Sequence, residues 1–196
     1  MSLIPAFELG VWNAWIITII YTVIPTIPSW INKEVVKKRL GVGKGSEINK
    51  IDKIVGIITH AIIGPFTIIY SFFLPLKLGT AWFYVGLLIS ILGILMCIMV
   101  GVSFATVPLD KPITTGVYRI SRHPAYFSGF LVTLGIGISC LSWIFVLCAA
   151  LLIISYHIMV VQSEEPSAIK KYGDAYREYL NRTPRWIGIP KSKKRG

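Results

Sequence analysis

Five apolar stretches dominate the chain, each near the roughly 20 residues that an α-helix needs to cross a bilayer. They cover residues 11–31, 54–76, 82–104, 126–140 and 142–161. Hydrocarbon offers no partner to a backbone N–H or C=O, so stretches of this kind are stable there only as helices that satisfy their own backbone. Composition agrees. Of 196 residues, 54% are hydrophobic and 15% charged, with a mean hydropathy of +0.68, whereas about a quarter of a soluble domain is charged. The expectation is an all-α, polytopic membrane protein of about five transmembrane helices, forming one integral membrane domain over residues 1–196. Pro25 and Pro28 are expected to kink or end the first helix, and Pro65 lies inside the second. The last two helices are separated only by Ser139-Cys140-Leu141-Ser142 and form a tight hairpin. Residues 162–196 form a cytoplasmic, partly helical C-terminal segment.

The net charge of +11 does not point to nucleic acid, because the basic residues lie between and after the apolar runs. They read as charge flanking a membrane and meeting anionic headgroups. Lys33, Lys37, Lys38, Arg39, Lys44, Lys50 and Lys53 fill the first inter-helix loop. Lys111, Arg119 and Arg122 fill the third, and Lys170 to Arg195 the tail. Five spans put these regions on one side, which the positive-inside rule makes cytoplasmic, with the N-terminus outside.

Several chemistries are excluded. Cys97, Cys140 and Cys148 form no CxxC pair and are read as buried thiols. Gly41–Ser46 lacks the GxxxxGK[ST] spacing of a phosphate loop, and no GxGxxG follows a strand. His60 and His157 sit in apolar helices, where ionisable residues are functional candidates by default, but neither has partners at metal-ligand spacing.

Polar chemistry is densest in Gly116-Val-Tyr-Arg-Ile-Ser-Arg-His-Pro-Ala-Tyr-Phe-Ser-Gly129, where the third and fourth helices meet the cytoplasmic face. Pro124 suits the first turn of the fourth helix, whose free N–H groups suit an anionic ligand group. Arg119 and Arg122 fit either such a group or lipid phosphate, and the tyrosines also fit an aromatic belt. A second cluster, Gln162-Ser-Glu-Glu165, follows the fifth helix. Its carboxylates suit ribose hydroxyls or an amino group, and equally a helix-extending ion pair to Lys170 or Lys171. Tyr172-Gly-Asp-Ala-Tyr-Arg-Glu-Tyr179 reads as a short amphipathic helix ending before Pro184.

GVYRISRHPAY, then a helical hairpin, then EE and YGDAYREYLNRTPRW resembles the isoprenylcysteine carboxyl methyltransferase family of integral membrane enzymes, and the related phospholipid methyltransferases. The likeness spans about Asp110 to Trp186. It implies S-adenosyl-L-methionine as cofactor, with S-adenosyl-L-homocysteine as product, held at the cytoplasmic end. It implies a cofactor lining of Asp110, Lys111, Pro112, Ile113, Tyr118, His123, Pro124, Ala125 and Tyr126, with Glu164 and Glu165. His123 and Arg122 are the catalytic candidates, His123 as a base for a thiol or amine acceptor. The resemblance also implies a lipophilic small-molecule or prenylated substrate, by family the carboxylate of an isoprenylated cysteine, entering from the bilayer while the cofactor enters from the cytoplasm. Four residues before Glu164, where prenylcysteine enzymes carry a substrate-linked arginine, stands Val160, so the acceptor stays open. The alternatives are a phospholipid or other lipid N-methyltransferase, an NADPH-dependent sterol-type membrane reductase using Arg182 and Arg185 for a 2′-phosphate, and a non-enzymatic scaffold or small transporter. Gly93, Gly101, Gly135 and Gly137 permit close helix packing within one chain or between two.

Overall fold

The computed structural model describes residues 8–24, 30, 50–108 and 111–190. Asp110, Pro25, Pro28, the loop of residues 31–49 and the tail from Lys191 lie outside the described residues. Within them the chain is helical, and the only extended pairing is an isolated bridge between Asn13 and Pro75. The helices are α1 (Trp15–Val23), α2 (Lys50–Ile57), α3 (Gly64–Ser71), α4 (Ala81–Thr106), α5 (Pro124–Ser139), α6 (Trp143–Met159), α7 (Glu165–Tyr172) and α8 (Asp174–Arg182). A π turn, Ile58–Ile63, joins α2 to α3, and another, Val160–Glu164, joins α6 to α7.

Three helical stretches are long and apolar enough to cross a membrane: Lys53–Ser71, Ala81–Thr106 and Trp143–Tyr172. Helix α5 has 16 residues, about 24 Å at 1.5 Å per residue against a hydrocarbon core of about 30 Å. The nine residues of α1 cover only part of the first apolar stretch. Two expected boundaries move. The second span was expected to run through residue 76, but it stops at Ser71. There Asn13 donates from Nδ2 to Phe72 O at 2.7 Å, and Ala14 N–H bonds Leu74 O at 2.9 Å, so residues 72–76 turn back along the start of α1. The fifth span was expected to end at 161, but its helix runs on through the second π turn to Tyr172, placing the Glu164–Glu165 pair within a helix.

The hairpin of α5 and α6 turns within residues 140–142, where Leu141 takes φ +53° and Ser142 caps α6 by accepting from Phe145 N. The closest packing joins α4 to α5. Gly86, Ser90 and Gly93 fall at i, i+4 and i+7 on α4, a single face, and meet Ser128, Val132, Gly135 and Ser139 of α5. A Cβ added at Gly135 would lie 2.7 Å from the Ser90 backbone nitrogen. Phe145, 1% exposed, anchors the apolar core with Val132, Ile136, Leu74 and Tyr70. The opposite face of α4, with Leu88, Leu92 and Leu95 each at least half exposed, presents hydrocarbon outward, as a lipid-facing surface requires. All three cysteines are buried and unbridged.

Replacing Gly135 by valine forces α4 and α5 apart against backbone atoms that cannot yield. We expect a loss of about 1–3 kcal/mol, read as a lower thermal midpoint in detergent, while valine at the open position Gly56, which has nothing within 4 Å of its Cβ direction, leaves the midpoint near wild type.

Candidate active site

At one end of the α4–α5–α6 bundle the segment after α4 folds back as a single 3₁₀ turn, Gly116–Arg119. His123 follows as the N-cap of α5, and Pro124 occupies its first turn. On the facing side, the second π turn delivers Glu164 and Glu165. Pro166, two residues beyond that turn, has no N–H to donate and its ring crowds the carbonyl four residues back, a local cause for the widened turn. Adjacent residues of a helix point about 100° apart, so the two neighbouring carboxylates face different directions.

Glu165 points inward and is 7% exposed. Its Oε1 lies 3.0 Å from Arg122 Nη2, 3.3 Å from His123 Nε2 and 3.1 Å from Arg185 Nε. Arg185 Nη2 completes a two-pronged pair at 2.7 Å from Oε2. The anticipated pairing of this cluster with Lys170 or Lys171 is replaced by two guanidiniums. Glu164, 40% exposed at its side chain, accepts from the Tyr126 hydroxyl and lies 3.4 Å from His123 Nδ1.

His123 thus has a carboxylate at each ring nitrogen. Burial pulls its pKa down, but the hydrogen bonds to Glu164 and Glu165 outweigh it, and the net shift is upward from 6.5. An acceptor at each ring nitrogen favours the protonated ring, and in that form it donates to both carboxylates and has no lone pair with which to act as the base anticipated from sequence.

The C-terminal segment closes over this end. Arg122 N–H bonds Pro184 O at 3.0 Å, Gly188 N–H bonds Ile120 O at 3.1 Å, and Arg122 Nη1 donates to Leu180 O at 3.0 Å. The Tyr179 hydroxyl donates to Tyr118 O at 2.7 Å. Burial pushes the Tyr176 phenol up to about 12, so it too stays protonated. Gly173, at φ +57°, breaks the expected Tyr172–Tyr179 helix and lets α8 turn back onto the 3₁₀ segment.

Between these parts lies a cavity of about 340 Å³, within the range of about 300–1,000 Å³ common for small-molecule sites. Pro112, Ile113, Tyr118, Arg122, His123, Ala125, Tyr126 and Glu164 line it, as anticipated. Lys111, Pro124 and Glu165 do not line it: Pro124 is fully buried in the first turn of α5 and Glu165 is committed to the ion cluster. Phe104, Ala168, Tyr172, Tyr176 and Tyr179 complete the wall. These were missed individually, although the last three stand in the YGDAYREY segment. Arg185, assigned from sequence only to a rival phosphate site, is bound to Glu165, and Arg182 pairs with Glu178 within α8, so the two do not form a free cationic pair. His60 and His157 lie outside this cavity, His157 with its ring 6.0 Å from that of Trp186.

Truncating Glu165 to alanine leaves Arg122 buried without a counter-charge, and loss of one partner of such a pair costs about 3–5 kcal/mol. Chemical or thermal denaturation in detergent should show this loss, and glutamate-to-alanine at 164 a much smaller one. A raised histidine pKa stabilises the folded state fully below 6.5, and that contribution fades as pH climbs through the folded value. The thermal midpoint of the wild type should therefore fall with rising pH above 6.5, and His123→Gln should flatten that slope.

No curated protein matches the chain. The family comparison is positive: residues 74–175, which is 102 of the chain's 196, match the phospholipid methyltransferase family. The match takes in α4, the 3₁₀ turn, the α5–α6 hairpin and the Glu164–Glu165 pair, and stops before Arg185 and Trp186. On that coverage the chain belongs to the phospholipid methyltransferase family, within the group of integral membrane methyltransferases.

Proposed function

We propose that the protein transfers a methyl group from S-adenosyl-L-methionine to the amine of a lipid at the membrane boundary, with the 340 Å³ cavity holding the cofactor. The observation that carries this reading is the cavity's polar inventory. Arg122 Nε is buried with no hydrogen-bond partner, a donor suited to the cofactor's carboxylate. Glu164 lies opposite, with lone pairs for a ribose hydroxyl or an amino group. Tyr118, Tyr126, Tyr172 and Tyr176 supply aromatic faces for an adenine ring. Of the residues anticipated for the cofactor, Pro112, Ile113 and Ala125 provide apolar contact, while Lys111, Pro124 and Glu165 serve the surrounding frame.

The cofactor supplies a methyl group on a positively charged sulfur, already electrophilic. The protein's part is alignment and exclusion of water. Tyr172, Tyr176 and Tyr179 roof the cavity from the C-terminal side, and Arg122 and Glu164 fix its two polar ends. The cavity wall would hold an acceptor amine with its lone pair in line with that methyl group. The acceptor must be unprotonated to react, and the partly exposed Glu164 carboxylate is the group beside the cavity able to take its proton.

The amine is favoured over the prenylcysteine carboxylate by charge. Val160, at the position of the substrate-linked arginine, is completely buried. The cation lining the cavity, Arg122, meets Glu165 and Leu180 O through its two Nη atoms and in this reading gives its remaining Nε to the cofactor's carboxylate, which leaves none for a second carboxylate. An incoming carboxylate would face Glu164, and an incoming ammonium would be drawn to it. The prenylcysteine reading retains the support of the RHPxY, EE and YGxxY segments. Calorimetry on detergent-purified protein should show S-adenosyl-L-homocysteine binding, weakened at least about tenfold by Glu164→Ala, the size expected for a hydrogen bond to a charged group. With radiolabelled cofactor, label should enter sphingosine or phosphatidylethanolamine in preference to N-acetyl-S-farnesylcysteine. The reverse preference would replace the amine by the carboxylate acceptor.

A further inference from the structure

A second cavity, of about 280 Å³, lies within the helical bundle between α1, the first π turn, α3, α5 and α6. Its chemistry differs from that of the first. Five threonines line it, at 18, 22, 59, 67 and 133, with Tyr21, Tyr156 and His60 among the other polar groups and no acid, lysine or arginine in its wall. A threonine inside a helix ordinarily donates to a carbonyl three or four residues back. Four of the five do so. Thr18 bonds Ala14 O, Thr22 bonds Thr18 O, Thr67 bonds Gly64 O and Thr133 bonds Gly129 O, at 2.7–3.1 Å. Thr59 does not. Its residue is 2% exposed and its Oγ1 has no hydrogen-bond partner.

A buried hydroxyl left unpaired is costly, and this one sits in a π turn, an irregularity frequent at functional sites. Thr59 therefore offers the wall a free donor. The other four threonines have spent their protons on the backbone and offer oxygen lone pairs. His60 Nδ1 lies 3.2 Å from Gly56 O, which can only accept; in the neutral ring this leaves Nε2 as an acceptor. The surroundings suit an uncharged group that both accepts and donates, in a cavity otherwise walled by Ile68, Val132, Ile136, Phe145 and Leu152.

The two cavities adjoin. Tyr156 lines this one and Tyr126 the other, and their rings stack at 4.5 Å. We propose that the second cavity seats the acceptor lipid, taking its uncharged hydroxyl, ester or amide portion on Thr59, with the Tyr126–Tyr156 pair as the partition across which the reactive end reaches the methyl donor. The role as acceptor seat rests on the methyltransferase reading, while the site for an uncharged lipid group does not.

The test uses the full-length protein in detergent and 1-monooleoylglycerol as probe, with oleate as the charged comparison. Thr59→Val removes the hydroxyl at nearly constant shape, and Thr59→Ser keeps it. Monooleoylglycerol should bind wild type and the serine variant, oleate should not, and the valine variant should bind about fivefold more weakly, the effect of one hydrogen bond. Without lipid, the valine variant should melt no lower than wild type, since an unpaired hydroxyl has been removed. Its affinity for S-adenosyl-L-homocysteine should be unchanged. Equal monooleoylglycerol binding by wild type and Thr59→Val, or preferential binding of oleate, overturns the site. A wild type that binds monooleoylglycerol in this Thr59-dependent way but not S-adenosyl-L-homocysteine keeps the lipid site and overturns its role in methyl transfer.

Discussion

The buried carboxylate of Glu165 is the constraint on which the polar architecture at this end of the bundle depends. Three segments far apart in sequence meet on it: the loop before α5 through Arg122 and His123, the start of α7 through Glu165 itself, and the C-terminal segment through Arg185. A carboxylate at 7% exposure is tolerable only when its charge is met and its lone pairs filled. The two arginines do both, with a geometry that lysine could not reproduce. That anchor works together with the Tyr176–Tyr179 packing and the Tyr179 bond to Tyr118 O in holding the roof of tyrosines above the cavity.

The same backbone device appears twice. Each π turn ends two residues before a proline, at Pro65 and at Pro166. A proline cannot donate to the helix and crowds the carbonyl one turn back, so a local widening relieves both faults while the helix continues. At the second site the turn ends at Glu164, with Glu165 beginning the helix that follows. At the first it lies at Thr59, the one of the second cavity's five threonines whose hydroxyl makes no backbone bond. Both cavities are thus bordered by a π turn, and the residues that distinguish them chemically sit on those turns.

Much of this was legible in the sequence, for definite reasons. Apolar length and the near absence of charge within the runs specify helices, and Ser139–Ser142 specifies a tight hairpin. The cavity wall at Tyr118, His123, Ala125, Tyr126 and Glu164 was reached through motif resemblance. What could not be read is what depends on distance. Arg185 gave no local sign that it would pair with a glutamate 20 residues earlier. The second and fifth helices do not end where their apolar runs do, because tertiary contacts to which hydropathy is blind, the Asn13 amide on Phe72 O and the ion cluster on α7, lie at those ends. Glu165 was grouped with Glu164 in the cofactor lining, since nothing in the dipeptide announces which carboxylate the arginines would enclose. Gly86 was overlooked, although the Gly86-Ser90-Gly93 spacing defines one helix face and could have found it.

The contrast between these two neighbours explains how one site can be both rigid and receptive. Glu165 is saturated, with two arginines and a histidine consuming its oxygens. Glu164 is only half engaged: Tyr126 occupies a position on Oε1 and His123 one on Oε2. A carboxylate has about four lone-pair directions, so each oxygen keeps one for a ligand. Holding a carboxylate from two sides in this way removes the rotational freedom that a lone surface glutamate would lose on binding. His123 links the pair, because one ring places Nε2 3.3 Å from the closed carboxylate and Nδ1 3.4 Å from the open one. The stability of the ion cluster and the readiness of the cavity are therefore coupled through a single imidazole. That coupling is strongest when the imidazole is protonated, the form that two neighbouring carboxylates favour.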